Sequence, residues 1–127
     1  MAEKTAVFTG GAPAPIAPFS QGIIYNGLVY CSGIVGLDPK TNKIVEGGVK
    51  ERTIQIIKNL SAVLEKAGSS LDKVLKVNVF LTSMDSFNEM NEGYKILFHG
   101  PLPARTCVCV KSLPLDSDVE IECVGYI

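Results

Sequence analysis

The sequence has few of the residues on which metal centres depend. His99 is the only histidine in 127 residues, and no Cys-x-x-Cys pair occurs among the four cysteines, Cys31, Cys107, Cys109 and Cys123. A zinc site would need all four thiolates, or three of them with His99, from positions that lack ligand spacing. We therefore expect no metal, and thiols that are reduced and mostly buried.

The single histidine also argues against nucleophilic catalysis. Cys107 has no histidine near it in the sequence, and His99 stands at a predicted helix end beside Gly100. A Cys-His dyad is therefore disfavoured, and a Ser-His-Asp triad equally so.

Lysines and arginines are too scattered to form a basic surface. There are 12 of them against 13 acidic residues, which gives a net charge of −1 and a pI of about 5.8. A protein that neutralises nucleic-acid phosphates needs a basic stripe or patch. A nucleic-acid partner is therefore not expected.

Long apolar runs are missing as well. No run approaches the length of a membrane-spanning helix, so no membrane partner is expected. The segment Met1–Thr5 has no apolar signal core, and its early Glu3 and lack of arginine argue against a transit peptide. The expected location is the cytoplasm. A mitochondrial location is the alternative, without a clear transit peptide to support it.

Apolar residues, in contrast, are plentiful for so short a chain. Residues 1–127 suit a single domain, and 46% of them are hydrophobic, with a mean hydropathy of +0.26. A domain of this size buries only roughly two-thirds of its unfolded-chain surface. This excess of apolar residues therefore favours an oligomer, in which a subunit interface buries part of the apolar surface.

The N-terminal half predicts strands around a proline-rich segment. Residues 10–18 contain three prolines and cannot form a helix or a central strand. Short apolar runs at Thr5–Thr9 and Gly22–Tyr25 flank this segment. Asn26-Gly27 is a strong hairpin signal, and Leu28–Ile34 reads as the returning strand.

The remaining elements alternate between helix and strand. A wide apolar stripe at helical spacing runs from Val49 to Ala67. A second helix is predicted over Phe87–Phe98, with Ser86-x-x-Glu89 as its capping box. The predicted strands are Val74–Leu81, Arg105–Lys111 and Val119–Tyr126. The order β-β-β-α-β-α-β-β predicts an α+β sandwich, with two helices on one mixed or largely antiparallel sheet.

One polar residue of the second helix lies where an apolar residue is expected. Asn91 falls in the core-facing stripe, between Phe87 and Tyr94. A buried amide without partners costs about 1–3 kcal/mol. Asn91 therefore either caps a loop or bonds a neighbouring strand, or it lines a pocket.

Charged residues also interrupt the last two strands. Alternation places Arg105 on the same side as Cys107 and Cys109, and puts Glu120 and Glu122 together on one face. If these two strands pair in an odd register, the two faces coincide, but the sequence does not fix the register. Arg105 then forms an interface ion pair with a glutamate, or it offers a guanidinium fork to a carboxylate ligand beside a carboxylate base.

Ser32 is a further candidate. Alternation puts it on one strand face with Tyr30 and Ile34. Its hydroxyl either bonds the backbone at the strand end, which we favour from the residues alone, or faces a pocket.

Several motifs together resemble one family, the Rid (reactive intermediate deaminase, YjgF-type) proteins. The motifs are Ala12–Gln21, Cys31-Ser32-Gly33, Pro39-Lys40-Thr41, Met90–Tyr94, Pro103–Val108, Leu113 and Val119–Glu122. They occur in the family's order and approximate spacing, and they cover nearly the whole chain. The C-terminal motif, Pro-Ala-Arg-Thr-Cys-Val followed by Val-Glu-Ile-Glu, is long and specific.

The resemblance implies a fold, an assembly and a site. The fold is chorismate-mutase-like, and three subunits pack their sheets into a central barrel with a ligand cleft at each interface. Arg105 is implied as the carboxylate anchor and Glu120 as the group that orients and activates water. The cleft-lining residues implied are Ser32, Asn91 and Cys107, with Phe19 near the substrate.

The same resemblance implies a cofactor-free activity. A homotrimer of this kind hydrolyses 2-imino acids, such as 2-iminopropanoate and 2-iminobutanoate, to 2-keto acids and ammonia. Three positions depart from the family pattern, because Ala17 stands where a glycine is common, Phe19 where a tyrosine is common and Ile34 where a glutamine is common. Phe19 keeps the ring but loses a hydroxyl.

That loss favours an alternative, a non-catalytic trimeric module that binds small carboxylates and acts through partners. Ribonuclease activity has also been credited to similar proteins, but the acidic pI and scattered lysines make it a weak idea here.

Overall fold

The computed structural model describes residues 3–127, which form one six-stranded sheet with two α-helices. The strands are β1 (Thr5–Val7), β2 (Gly22–Tyr25), β3 (Leu28–Val35), β4 (Val74–Leu81), β5 (Ala104–Cys109) and β6 (Val119–Tyr126). The helices are α1 (Val49–Lys66) and α2 (Phe87–Leu97). The α+β class and the predicted element order are confirmed.

The sheet is mixed, with the strand order β1-β2-β3-β6-β4-β5. β4 and β5 are parallel, and every other neighbouring pair is antiparallel. The predicted hairpin joins β2 to β3. Asn26 and Gly27 both have positive φ, 50° and 76°, as a two-residue turn of this kind requires.

One face of the sheet is covered and the other is open. Both helices lie on the covered face, where the apolar stripe of α1 packs against alternate residues of the central strands. The fully buried side chains there include Ile56, Ile57, Leu60, Val77, Val79 and Ile121. The open face carries the other alternating set, including Tyr30, Phe80, Glu120, Glu122 and Val124. No helix among residues 3–127 combines the length and apolar character that a membrane crossing requires.

The predicted capping box at Ser86 is wrong. Ser86 already has helical angles (φ −85°, ψ 0°), and its side chain makes no capping hydrogen bond. Ser83, one short turn earlier, accepts a hydrogen bond from the Asp85 N–H at 3.1 Å instead. The Glu89 carboxylate accepts a hydrogen bond from the Lys50 N–H at 3.1 Å, and so meets the positive end of α1. Glu89 therefore bonds the N-terminus of the other helix instead of the N-terminus of its own helix.

The four thiols divide evenly between buried and accessible positions. Cys31 and Cys123 are buried directly opposite each other on β3 and β6, whereas Cys107 is half-buried and Cys109 is exposed. The hydrogen bond to Cys31, together with burial, raises the pKa of Cys123 far above its usual range. The expectation of buried thiols holds for two of the four.

The crossing of α1 and α2 depends on Gly93. A Cβ at this position would lie 2.7 Å from the Lys50 carbonyl oxygen and 3.2 Å from the Thr53 Cβ. Alanine is the better helix former by about 1 kcal/mol, but overpacking a rigid contact costs about 1–3 kcal/mol. We therefore expect Gly93→Ala to lower the free energy of unfolding, measured by urea denaturation. Gly10→Ala is the control, because nothing lies within 4 Å of the added atom. Equal stability of the two variants would contradict the tight crossing.

Candidate functional site

The two residues proposed for catalysis lie on different faces of the sheet. β5 pairs with β4 and not with β6, so β4 separates Arg105 from Glu120. Arg105 is opposite Val77, a fully buried residue of the covered face. Glu120 is opposite Phe80 on the open face. The arginine and glutamate faces would coincide only if the last two strands paired in an odd register, and these two strands do not pair within a single chain.

Aromatic rings hold the Arg105 side chain in place. Its guanidinium carbon lies 4.8 Å from the centre of the Tyr94 ring and 5.7 Å from that of Phe87. Nη1 also lies 3.9 Å from the Met90 Sδ. Cation–π contacts of this kind orient a guanidinium without using its hydrogen-bond donors. The fork is fixed in direction and, apart from the weak Nη1 contact to the Met90 sulfur, its N–H groups have no hydrogen-bond partner among the described residues.

Within residues 3–127, Arg105 belongs to no ion pair. The ion pair found there joins the other arginine, Arg52, to Asp118, with Nη2 2.6 Å from Oδ2. The sequence left open an interface ion pair with a glutamate or an open fork, and both stay predictions. Within the described part of one chain, no glutamate forms an ion pair with Arg105.

A cavity of about 340 Å³ lies beside Arg105. Its walls are Asn91, Tyr94, Lys95, Leu102, Pro103 and Arg105. Asn91 is half-buried, and its side-chain amide has no hydrogen-bond partner among the described residues, so the pocket-lining interpretation is the better one. Lys95 adds a second cation that the sequence reasoning missed. Lys95 lies one helical turn after Asn91, so the two side chains are neighbours on one helix face, and this spacing could have identified Lys95 as a site residue.

Cys107 lies next to Arg105 on the same side of β5, as alternation predicts. It is opposite Val79 and packs partly against the core. Burial raises the pKa of the Cys107 thiol, and the nearby Arg105 charge opposes that rise. Cys107 is not among the walls of the Arg105 cavity, and its role as a substrate contact stays a prediction.

A second cavity, of about 200 Å³, lies beside Glu120. It brings together three of the predicted site residues, Phe19, Ser32 and Glu120, and Ile34 also contributes to its wall. The carboxylate packs on Gly33, where an added Cβ would lie 2.9 Å from Oε2. Only a glycine leaves this space for the carboxylate.

The surroundings of Glu120 make it a weaker acid than usual. Burial raises the pKa of the Glu120 carboxyl, and the negative charge of Glu122 on the same face raises it further. A raised carboxyl pKa suits a group that takes and returns a proton near neutral pH.

A β-bulge sets the position of Ser32. One extra residue of β3 lies between the pairs Cys31–Cys123 and Ile34–Ile121. The prediction that Ile34 shares a face with Tyr30 is therefore wrong, because Ile34 is opposite the core residue Ile121. The Ser32 hydroxyl donates to the Ser20 carbonyl at 2.6 Å. The favoured backbone role is present, and the same residue lines the cavity.

Gln21 is a structural residue that the sequence reasoning did not single out. It is buried, and its Oε1 accepts a hydrogen bond from the Thr9 N–H at 2.7 Å. Its Nε2 donates to the Thr9 carbonyl at 3.0 Å and to the Pro13 carbonyl at 2.9 Å. These bonds fix the proline-rich segment as one wall of the Glu120 cavity. A glutamine between that segment and an apolar strand was the available signal.

Comparison with known proteins identifies the family of this chain. A family profile described as Endoribonuclease L-PSP matches residues 9–127. A mouse protein named 2-iminobutanoate/2-iminopropanoate deaminase is 43% identical over 122 residues, which cover 96% of this chain and 90% of that protein. Other relatives carry names that place them in chloroplasts or mitochondria.

Solved structures extend the agreement to the fold. YyfA from Yersinia pestis, described as of the conserved Rid protein family, has 37% identity and a TM-score of 0.94, covering 98% of this chain and 100% of that one. TdcF from E. coli, solved with bound serine, has 32% identity and a TM-score of 0.92, covering 97% of this chain and 98% of that one. Because the likeness extends along nearly the whole sequence at these identities, the chain belongs to the Rid (reactive intermediate deaminase, YjgF-type) family.

Proposed function

We propose that this protein hydrolyses 2-imino acids to 2-keto acids and ammonia. The observation that carries the proposal is the state of Arg105, a guanidinium held by two aromatic rings at an open cavity and free of any ion pair in the described chain. Planar, bidentate recognition of a carboxylate is what such a fork does best. The Glu120 carboxylate, with its raised pKa, supplies a proton-transfer group.

The chemistry needs only positioning and one base. Arg105 binds the substrate carboxylate and so fixes the plane of the C=N group. Glu120 takes a proton from a water held against the imine carbon, a C–O bond forms as the C=N π bond breaks, and the same proton passes to the nitrogen. In the resulting carbinolamine the hydroxyl proton is transferred to the nitrogen, the C–N bond breaks with release of ammonia, and a C=O bond forms, which leaves the keto acid. No step requires a metal or an organic cofactor.

The separation of Arg105 from Glu120 means that each cleft needs two copies of the chain. We propose a homotrimer in which the Arg105 cavity of one copy faces the Glu120 cavity of the next. The open sheet face supports this assembly, because Tyr30 and Tyr126 there are 45% and 43% exposed and Val108 is 42% exposed. Apolar side chains grouped on one uncovered face favour association.

An activity assay tests the function directly. We expect the wild-type protein to accelerate keto-acid release from imines that an amino-acid dehydratase makes in situ. The alternative, a small-carboxylate-binding module, is favoured by Phe19, which brings no hydroxyl to the Glu120 cavity. That alternative predicts that 2-ketobutyrate raises the melting temperature while imine hydrolysis stays at background. Protection without turnover would decide for the binding module.

Mixing two inactive variants tests the shared cleft. Arg105→Ala and Glu120→Gln should each retain about one per cent of wild-type activity or less as pure trimers. After unfolding and refolding together, about one cleft in four should combine an intact Arg105 from one copy with an intact Glu120 from its neighbour. We expect about a quarter of wild-type activity in a coupled assay. Mixed trimers that stay inactive would show that the two groups do not meet across an interface.

A cytoplasmic location stays a prediction, and so does the absence of a nucleic-acid partner.

A further inference from the structure

The Arg105 cavity contains a second cation. Lys95 lines this cavity together with Asn91 and Arg105, and its walls include no aspartate or glutamate. The ion pair found among residues 3–127 joins Arg52 to Asp118, so the Lys95 ammonium is not neutralised by a carboxylate of the described chain. Two positive charges therefore meet at one cavity without a negative side chain between them.

Two negative charges face this pair of cations in the proposed cleft. One belongs to the substrate carboxylate, and the other belongs to Glu120 of the next copy, which must be ionised to act as a base. With Arg105 alone, one positive charge would face two carboxylates that repel each other. The charge of Lys95 makes the cleft with bound substrate neutral. This local positive charge is opposite in sign to the net charge of the whole chain, −1.

We propose that Lys95 is a second anion-binding group of the cleft, one that attracts the substrate carboxylate toward Arg105 and offsets its repulsion by Glu120. The inference rests on the proposed function and adds a specificity-determining residue to it. Lys95 is exposed, and its ammonium acts as a point charge on a flexible stem, whereas the guanidinium of Arg105 is a planar fork. Lys95 therefore contributes mainly through long-range attraction. Salt screens such attraction, because the Debye length is about 30 Å at 0.01 M and about 3 Å at 1 M ionic strength.

The position of Lys95 in the last turn of α2 also has a structural explanation. A lysine there stabilises the helix by its interaction with the negative end of the helix dipole. Loss of that interaction lowers the melting temperature, but it does not make the affinity for an anion depend on salt. A difference in ligand affinity that disappears at high salt therefore separates the two roles.

The test measures the affinity for 2-ketobutyrate, a keto-acid product, by isothermal titration calorimetry. Lys95→Gln removes the charge and keeps much of the side-chain length. We expect its dissociation constant to be about three- to tenfold above the wild-type value at 0.01 M ionic strength, and close to the wild-type value at 1 M. Lys95→Arg should keep the wild-type affinity at both. In the imine assay at low salt, Lys95→Gln should raise KM by a similar factor and leave kcat nearly unchanged.

Lys58→Gln is the matched control. Lys58 is also an exposed lysine on a helix, and it lines neither cavity, so its removal should leave the affinity at the wild-type value. Wild-type affinity of Lys95→Gln at 0.01 M, or an equal loss at 1 M, would overturn the inference. So would a wild-type protein that binds no 2-ketobutyrate.

The same measurements separate this inference from the proposed function. If the wild-type protein binds 2-ketobutyrate with the expected dependence on Lys95 but hydrolyses no imine, the proposed function fails and the role of Lys95 in anion binding stands. If imines are hydrolysed and neither KM nor the dissociation constant changes in Lys95→Gln, the role of Lys95 fails and the proposed function stands.

Discussion

Replacing Arg105 with alanine should lower kcat/KM for 2-imino acids by a factor on the order of 10²–10³, which is about 3–4 kcal/mol of transition-state binding. The guanidinium is held in place by the Tyr94 and Phe87 rings, and it forms no ion pair in the described chain. Its removal therefore leaves the substrate carboxylate without its proposed anchor. The measurement is steady-state turnover of imines generated in situ, with the uncatalysed rate subtracted.

Two further arginine variants sharpen this result. Arg105→Lys keeps the charge but loses the bidentate fork, so it should recover only part of the lost activity. Arg52→Lys alters the other arginine of the sequence, whose guanidinium binds Asp118 through Nε at 2.8 Å and Nη2 at 2.6 Å. It should lower the melting temperature and leave kcat/KM near the wild-type value. If Arg105→Ala retained full activity, or if Arg52→Lys lost as much, the anchor role of Arg105 would be refuted.

Glu120→Gln should reduce turnover by about 10²–10⁴-fold, the usual contribution of a positioned general base. The carboxylate must be ionised to accept a proton from water. Because burial and Glu122 raise the pKa of Glu120, kcat/KM of the wild-type protein should fall on the acid side at a higher pH than an unperturbed glutamate would give. This acid limb should be missing from the residual activity of Glu120→Gln.

Glu122→Gln provides the matched control for the pH profile. Glu122 lies on the same sheet face and accepts a hydrogen bond from the Asn78 amide at 3.0 Å, and its charge contributes to the raised pKa of Glu120. Removing this charge should move the acid limb to lower pH and leave the plateau activity nearly unchanged. If the acid limb of the pH dependence of kcat/KM did not move in Glu122→Gln, a group other than Glu120 would control it.

The Glu120→Gln substitution should also stabilise the fold at neutral pH. The pKa of Glu120 is raised in the folded state, so ionisation of its carboxyl opposes folding. The stability of the folded protein with a protonated carboxyl is therefore lost as pH rises through the folded-state pKa. A neutral glutamine avoids that loss. We expect Glu120→Gln to melt above the wild-type protein at pH 7 and at nearly the same temperature at pH 4. A lower melting temperature at pH 7 would argue that the carboxylate is stabilised where it lies.

The sequence predicted the elements well because their periodicity reflects burial. The stripe of α1 covers one face of the sheet, and the valines of β4 alternate toward the helices, so local pattern and tertiary packing agree. The Asn26-Gly27 turn needs no tertiary information at all. In these parts of the fold, the preference of the local sequence agrees with the packing that the segment meets.

The site was harder to predict because it depends on pairing between distant strands. The sequences of β5 and β6 do not indicate that β4 lies between them in the sheet. This strand order and its register place Arg105 and Glu120 on opposite faces. The bulge before Ile34 shifted the alternation by one residue in the same way. Glu89 bonds a backbone N–H of α1, which the sequence of its own helix does not indicate. Individual site residues could be predicted from the sequence, but which of them lie close together in space could not.

The placement of Arg105 and Glu120 on opposite sides of one sheet also affects how the protein would work at low abundance. In the proposed trimer each copy would contribute half of two different clefts, and an isolated copy would complete neither. Specific activity should therefore decline steeply on dilution to concentrations at which the trimer dissociates. Expression level would then act as a threshold, below which added protein gives a cell almost no capacity to clear imines.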